Sequence, residues 1–338
     1  MLYRNFSTQE EIDREYNVEA AAPDFAAVAR FFIDGSAQAR ADLDGALDQR
    51  FGPTLAEYVD IFPAASPGAP VLVFIHGGYW RLLSAKEFSL VARGPVARGC
   101  TVVVTNYALC PEVSIEEITR QSRAAIAWVH RNIARFNGDP ERIVVAGHSA
   151  GGHQVARLAQ TDWPGAYGLP RDIVKGGIPI SGLFDLRPFP YSWLAPKLRL
   201  DQHTVISESP VFDLPKAAPP MLFTVGGDES REFVRQSREF LEVWRAAGLD
   251  GRWLDQPGRD HFTAIEGYCH AASTLTDATM DFIAEVAPAI RGATAGEGGR
   301  SERRAEAVAE SVRADHGTPR FRTYGAEPPR LAFERERR

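Results

Sequence analysis

The chain has 338 residues, of which 44% are hydrophobic and 24% charged, and its formal net charge at pH 7 is −6. This is the composition of a globular protein, and the acidic balance argues against nucleic acid as the main partner, because phosphate backbones bind concentrated positive charge. No apolar run reaches the ~18 residues of a membrane span and the first residues lack a secretory signal, so we expect a cytoplasmic protein.

The chain is predicted to have three regions. Residues 1–50 have apolar side chains near helical spacing, and we expect a helical cap or lid over a site. Residues 51–290 form the main body. Residues 291–338 contain eleven arginines and eight acids with few large aliphatic side chains. Such a segment cannot bury enough surface to offset its ordering entropy, so we expect a charged, disordered tail.

Short apolar segments alternate with longer amphipathic ones along the body. Segments rich in Val, Ile or Phe are predicted as strands at 58–62, 71–75, 101–106, 143–146, 173–181, 221–225 and 252–256. Helices are predicted at 115–136, 149–160, 230–247 and 270–290. This alternation indicates an α/β protein with a mainly parallel central sheet and helices on both faces. In such sheets the active cleft lies beyond the carboxyl ends of the strands.

After the second predicted strand, "HGGYW" brings two glycines and two large aromatics to the strand end. Glycine lets backbone N–H groups turn toward a ligand without a Cβ clash. We therefore expect the N–H groups of Gly78 and Tyr79, together with that of Ala150, to form an oxyanion hole. A plain turn at the end of a strand is the alternative.

The segment "RIVVAGHSAGGHQVARLAQ" places Ser149 directly after a predicted strand and directly before a helix. This is the context of a Gly-x-Ser-x-Gly nucleophile elbow, where the sharp turn demands small residues two positions on either side. Gly147 and Gly151 meet that demand. The pattern predicts Ser149 as a nucleophile, and an ordinary glycine-rich turn is the alternative.

A serine nucleophile needs an imidazole base and an acid that orients it. His261 follows the last predicted strand by a few residues and is the predicted base, with His203 and His270 as alternatives. Asp228, in "MLFTVGGDES", is the predicted acid, because the chain order Ser149, Asp228, His261 is that of α/β-hydrolases.

Other carboxylates remain open as the acid. Glu229 is the nearest rival of Asp228, since a shift of one residue in the turn would exchange them. Asp185, after an earlier strand, is the next, and we expect it to be structural or to face the substrate. Asp255 and Asp260 neighbour His261 but need awkward local geometry.

Together these motifs resemble the kynurenine formamidase branch of the α/β-hydrolase superfamily. The resemblance rests on "HGGYW", "GHSAGGH", "SGLFDLRPF" and "VGGDESREFVRQSREF", followed by "HF" at residues 261–262, and it spans residues 60–285. It implies the α/β-hydrolase fold, the triad Ser149, Asp228 and His261, and oxyanion donors at Gly78 and Tyr79. The tail has no counterpart in that family.

The resemblance implies a serine hydrolase that removes a small acyl group from an aromatic amide or ester, N-formyl-L-kynurenine first. A general carboxylesterase or amidase, and a non-catalytic hydrolase-like binding protein, are the alternatives. Tyr79, Trp80 and His148 are predicted substrate contacts, although Trp80 fits equally well as a core anchor. No motif for a metal or cofactor is present in the sequence, so neither is predicted. A homodimer is left open.

Overall fold

The computed structural model describes residues 1–289, so the predicted tail, 291–338, lies outside the described residues. Within this part, none of the helices combines the length and the apolar character needed to cross a lipid bilayer.

One eight-stranded sheet forms the centre of the described chain, in the order β1-β2-β4-β3-β5-β6-β7-β8. Strand β1 pairs antiparallel with β2, β2 pairs antiparallel with β4, and all other neighbours are parallel. The mainly parallel sheet is thus confirmed. The strands are β1 Ala46–Arg50, β2 Tyr58–Phe62, β3 Ala69–Ile75, β4 Thr101–Thr105, β5 Gly138–His148, β6 Gly176–Ile180, β7 Met221–Gly226 and β8 Gly251–Gln256.

Helices cover both faces of the sheet. They are α1 Gln9–Tyr16, α2 Val18–Ala21, α3 Phe25–Asp42, α4 Arg93–Ala97, α5 Ile115–Asn132, α6 Ala150–Ala159, α7 Trp163–Tyr167, α8 Ala195–Leu198, α9 Gln202–Ser207, α10 Arg231–Ala246 and α11 Thr274–Val286. Short 3₁₀ segments lie at Ala85–Ala92, Ile133–Phe136, Phe189–Tyr191, Pro210–Phe212 and Thr263–Cys269.

Strand β3 shows why the sheet needs cover on both sides. Its side chains alternate between two hydrophobic clusters: Val71, Val73 and Ile75 belong to one, and Leu72 and Phe74 to the other. Side chains of α5 complete the first cluster, and side chains of α3 and α11 complete the second. Because both faces of β3 are buried, nearly all its residues are apolar, which explains the continuous apolar run in the sequence.

Parallel pairing brings the carboxyl ends of the central strands to one edge of the sheet. The register places Ile75 opposite Gly147, and His148 opposite Ile180. The loop after β3, the turn after β5 and the turn after β6 therefore start side by side. The last pair of parallel strands ends at the same edge.

The N-terminal segment is helical only in part. Helices α1 to α3 agree with the prediction for residues 1–50, and Thr8 begins α1 with a capping box to Glu11. Residues 46–50, however, form the edge strand β1, which corrects the predicted boundary. Its sequence, "ALDQR", has no apolar alternation, and a register shift interrupts its pairing with β2. The strand therefore depends on its neighbour rather than on its own pattern.

Residues 1–16 are anchored to the body through buried hydroxyl groups. Tyr3 donates a hydrogen bond to Asp185 Oδ2 at 2.8 Å, and Tyr16 donates one to Glu232 Oε2, at the start of α10, at 2.7 Å. Both tyrosines are buried, so these hydrogen bonds form away from water, where a hydroxyl or carboxylate without a partner would cost stability. These two bonds fix the beginning of the chain against α10 and against the loop that follows β6.

Candidate active site

Ser149 occupies the sharp turn between β5 and α6. Its backbone has φ 57° and ψ −116°, in the left-handed half of the map that non-glycine residues rarely adopt. The Ser149 N–H donates to the carbonyl of Ile180 at 2.9 Å, which ties the turn to the neighbouring strand β6. The side chain sits at the amino end of α6, where unpaired N–H groups favour negative charge.

The two glycines around Ser149 are required by crowding of the backbone. A Cβ on Gly147 would lie 2.4 Å from the carbonyl oxygen of Gly151, and one on Gly151 would lie 2.0 Å from that of Ile75. Both distances are far shorter than any real contact, so a larger residue would force the turn open. The steric reason that the sequence suggested for this spacing holds in the structure.

The loop after β3 lies against the nucleophile. A Cβ built on Gly77 would come within 3.2 Å of Ser149 Cβ. Three successive residues of the loop, Gly78, Tyr79 and Trp80, have positive φ values of 111°, 49° and 56°. Within residues 1–289 the N–H groups of Gly78 and Tyr79 donate to no protein acceptor. Ala150 is the first residue of α6, where N–H groups lack intrahelical partners, so all three predicted donors are available.

His261 is held by a buried glutamate. Its Nδ1 lies 2.6 Å from Glu229 Oε2, and the Glu229 side chain has no exposed surface. The other oxygen, Oε1, accepts hydrogen bonds from the N–H of Gly226 at 2.7 Å and from the hydroxyl of Ser181 at 2.5 Å. With Nδ1 committed to the carboxylate, Nε2 is the ring nitrogen left for proton transfer.

The prediction of Asp228 as the acid is therefore corrected to Glu229. Asp228 is exposed, and its backbone N–H donates to the carbonyl of Arg259 at 2.9 Å. The turn after β7 carries Asp228 on its outer side and turns the next residue inward. The longer side chain of Glu229 then reaches the imidazole that an aspartate one position earlier does not meet.

The other histidine and acid candidates serve elsewhere. Asp185 accepts from the Tyr3 hydroxyl and forms a two-pronged ion pair with Arg187, and these bonds lower the pKa of the Asp185 carboxyl although burial opposes them. It is structural. His203 is exposed beside Glu116, with a side-chain exposure of 81%, and His270 is exposed as well.

His148 links the nucleophile turn to the loop that carries His261. Its Nε2–H donates to the backbone carbonyl of His261 at 2.8 Å, and the two ring centroids are 4.5 Å apart. Burial, with a smaller contribution from the neighbouring imidazole, lowers the pKa of His148 well below its ordinary value. The His148 ring is therefore neutral near pH 7. It lines the cavity described below, and its contact with substrate stays a prediction.

Trp80 does not contact the cavity. Its side chain is fully buried, edge-on to the ring of His153 with centroids 5.1 Å apart and edge-on to Phe189 at 6.0 Å. The predicted substrate role of Trp80 is therefore wrong, and the core-anchor alternative is right. Tyr79 does line the cavity, but its hydroxyl donates to the backbone carbonyl of Tyr16. Tyr79 can offer substrate only the face or edge of its ring.

A cavity opens beside Ser149 and His261, and both residues line it. The loop from Gly77 to Tyr79 lines one side of it, and much of its wall comes from α2 and α3. Aliphatic and aromatic side chains dominate that wall: Val18, Phe25, Val28, Phe32 and Ile33 from the N-terminal helices. Helices α2 and α3 thus line the cavity that contains the nucleophile, and the cap or lid role of residues 1–50 stays a prediction.

Sequence reasoning missed Ser181 altogether. Ser181 follows β6 directly, has φ 52°, and points its hydroxyl at the carboxylate that holds His261. The available signal was its position, because a small polar residue at a parallel-strand end belongs to the catalytic edge of the sheet. The motif "SGLFD" drew attention to its aspartate instead.

Comparison with known proteins agrees with this geometry. Residues 72–188 match the family model described as alpha/beta hydrolase fold. Kynurenine formamidase from Danio rerio is 26% identical over 289 residues, covering 82% of this chain and 97% of the relative. Carboxylesterase NlhH from Mycobacterium tuberculosis is 36% identical over 242 residues, covering 62% of this chain and 70% of the relative.

Solved structures give the same result. The crystal structure of a candidate thioesterase from Silicibacter sp. superposes with a TM-score of 0.69 at 29% identity, covering 79% of this chain and 98% of that one. Esterase B from Lactobacillus rhamnosis, at 16% identity and a TM-score of 0.64 over 89% and 98% of the two chains, shares the fold.

The chain belongs to the α/β-hydrolase family, and it is a hydrolase. Within the family it resembles the kynurenine formamidase of Danio rerio over nearly the whole length of that relative, which confirms the resemblance drawn from its motifs.

Proposed function

We propose that the chain is a serine hydrolase that cleaves a small acyl group, formyl first, from an aromatic amine such as that of N-formyl-L-kynurenine. The observation that supports this best is that His261, paired with the buried carboxylate of Glu229, lines the same largely apolar cavity as Ser149. The similarity to kynurenine formamidases supports the choice of substrate.

The proposed reaction has two stages. In the first, His261 Nε2 takes the proton of the Ser149 hydroxyl as its oxygen attacks the acyl carbonyl, while Glu229 stabilises the imidazolium that forms. The negative charge on the carbonyl oxygen is met by the N–H groups of Gly78, Tyr79 and Ala150. Collapse of this intermediate breaks the carbon–nitrogen bond. In the second stage, water attacks the acyl-serine by the same route and releases the acid.

An aromatic amide demands more of His261 than an activated ester does. An aniline anion is a poor leaving group, so the amine must receive the imidazolium proton as the bond breaks. The buried carboxylate at Nδ1 fixes the ring in the orientation that presents Nε2–H to the departing nitrogen. This feature supports amide cleavage as well as ester cleavage.

The cavity suits an aromatic leaving group. Phe25, Phe32, Phe88 and Phe262 line it and offer ring faces and edges for stacking. On the acyl side, the loop from Gly77 to Tyr79 lies close against Ser149, which favours a small group there.

The test compares kcat/KM of the purified protein for N-formyl-L-kynurenine and for p-nitrophenyl acetate. We expect turnover of the formamide with a kcat/KM of about 10⁴ M⁻¹s⁻¹ or more, the lower bound of ordinary enzymes. Ser149→Ala, as control, should fold normally and lose turnover of both substrates. Turnover of the ester alone would favour the second candidate, a general carboxylesterase, which the 36% identity to NlhH supports.

A non-catalytic role makes a different prediction. A fluorophosphonate probe labels an activated serine covalently, and we expect labelling that Ser149→Ala abolishes. An unlabelled wild-type protein would contradict the proposed mechanism. Residence in the cytoplasm and a homodimeric state stay predictions from the sequence.

A further inference from the structure

Two hydrogen bonds from different parts of the sheet hold His261. This residue lies in the loop between β8 and the 3₁₀ segment Thr263–Cys269, outside any helix or strand. Its side chain is tied to Glu229, after β7. Its main chain is tied to His148, the last residue of β5, whose Nε2 lies 2.8 Å from the His261 carbonyl oxygen. Within the described residues, no backbone N–H donates to that carbonyl.

The bond between His148 and this carbonyl can have only one direction. A carbonyl oxygen accepts hydrogen bonds and cannot donate them, so Nε2 of His148 carries the hydrogen. The His148 ring is neutral near pH 7, because burial lowers its pKa. His148 is therefore an uncharged donor at a buried place, where a carbonyl left without a partner would cost stability.

An uncharged donor suits the neighbour of a base that must become positive. The ring centroids of His148 and His261 are 4.5 Å apart, and the ring of Phe233 packs against His261 at the same centroid distance. The proposed reaction places a positive charge on His261, and a lysine or arginine at position 148 would oppose that charge. A neutral imidazole can hold the backbone of the base without this repulsion.

The same bond connects the nucleophile to the base across the sheet. Strands β5 and β8 are three places apart in the strand order, and Ser149 follows His148 directly in the chain. The residue beside the nucleophile thus holds the backbone of the base. Without the bond, the loop of His261 could shift relative to Ser149, and a misplacement of about 1 Å can cost on the order of 10²-fold in rate.

We propose that His148 is a positioning residue, which sets the place of His261 relative to Ser149 through its hydrogen bond to the His261 carbonyl. Glu229 orients the imidazole ring, and His148 holds the main chain that carries it. The proposal rests on the proposed function in one respect, that His261 is the base for Ser149. It does not depend on which acyl compound is cleaved.

The experiment compares two replacements of His148 that differ in one donor. His148→Leu fills the space without an N–H, whereas the side-chain amide of His148→Gln can donate to the same carbonyl. We measure the rate of Ser149 labelling by a fluorophosphonate probe, and kcat and KM for p-nitrophenyl acetate. In His148→Leu we expect labelling and kcat to fall by about 10²-fold with KM within about twofold, and in His148→Gln at least about tenfold of this loss to be restored.

His130→Leu is the matched control. His130, in α5, also pairs a ring nitrogen with a backbone carbonyl, that of Pro140 at 3.3 Å, but near the start of β5 instead of its end. Its labelling rate and kcat should stay within about twofold of wild type. Melting temperatures verify that the variants are folded, and His148→Asn, whose amide is too short to reach the carbonyl, replaces His148→Leu if that variant does not fold.

Three outcomes would overturn the proposal. Labelling of His148→Leu at the wild-type rate would show that the bond does not position the base, and a raised KM with unchanged labelling would make His148 a substrate contact instead. Labelling of His148→Gln as slow as that of His148→Leu would show that the donor does not matter. Because the probe requires only an activated serine, failure of the formamidase assay and failure of this assignment are separate results.

Discussion

Two turns at the same edge of the sheet differ in how firmly the sequence encodes them. The nucleophile turn after β5 is defined by backbone crowding, with glycines that would clash at 2.4 and 2.0 Å if they carried a Cβ. The acid turn after β7 is also glycine-containing, but what matters there is which of two adjacent carboxylates reaches His261. Backbone crowding leaves a fixed spacing of glycines in the sequence, and that spacing can be recognised. The reach of a side chain leaves no such pattern, so the sequence alone does not show which carboxylate meets His261.

The strongest test of this contrast neutralises each of the two adjacent carboxylates in a separate variant. Glu229→Gln should lower kcat by about 10³- to 10⁴-fold, the scale known when a triad acid becomes an amide. Its Oε1 position accepts from Gly226 and Ser181, so the amide oxygen would stay there and the NH₂ would face His261 Nδ1. That arrangement forces the proton onto Nε2, which then cannot accept one from Ser149.

Asp228→Asn is the matched control for that variant, one residue away in the same turn. We expect its kcat to stay within about twofold of wild type, because the exposed side chain does not meet the imidazole. Steady-state kinetics on the same substrate check both variants. A large loss in Asp228→Asn with a small one in Glu229→Gln would reverse the assignment.

A smaller effect is expected from the oxyanion loop. Gly78→Ala should reduce kcat by about 10²- to 10³-fold, the range for loss of one oxyanion donor, because a Cβ there meets Leu82 O at 2.2 Å at φ 111°. Gly68→Ala separates this from general strain, since Gly68 also has positive φ, 74°, but open space around it. The control should lose stability only, and equal loss of kcat in both would contradict the oxyanion role.

The smallest effect concerns the support of the acid. Ser181→Ala removes one of the two protein donors to Glu229 Oε1, and we expect about a tenfold loss of kcat, the scale of a hydrogen bond to a charged group. Ser237→Ala is the control, because that buried hydroxyl has no partner within the described chain. The pH profile of kcat should shift in the first variant and not in the second. Identical profiles would reduce Ser181 to a structural role.

The sequence predicted the features that depend on pattern and chain order. The central strands, the elbow at Ser149 and the position of His261 follow from apolar runs, glycine spacing and the order of elements. Strand β1 was not predicted because its own sequence has no strand pattern and its extended conformation depends on pairing with β2. Trp80 was ambiguous because a large aromatic beside a catalytic loop serves equally well to fill the core, and only the packing around His153 and Phe189 decides.

Helices α2 and α3 lie outside the segment that matches the family model. The segment shared with the family at large, residues 72–188, includes the serine and the oxyanion loop but ends before Glu229 and begins after the helical wall. The serine and the oxyanion loop thus come from one stretch of chain, Glu229 and His261 come from a later one, and much of the cavity wall comes from helices that precede both. In this chain, substitutions in α2 and α3 would therefore reshape the wall that a substrate meets while Ser149, Glu229 and His261 keep their places.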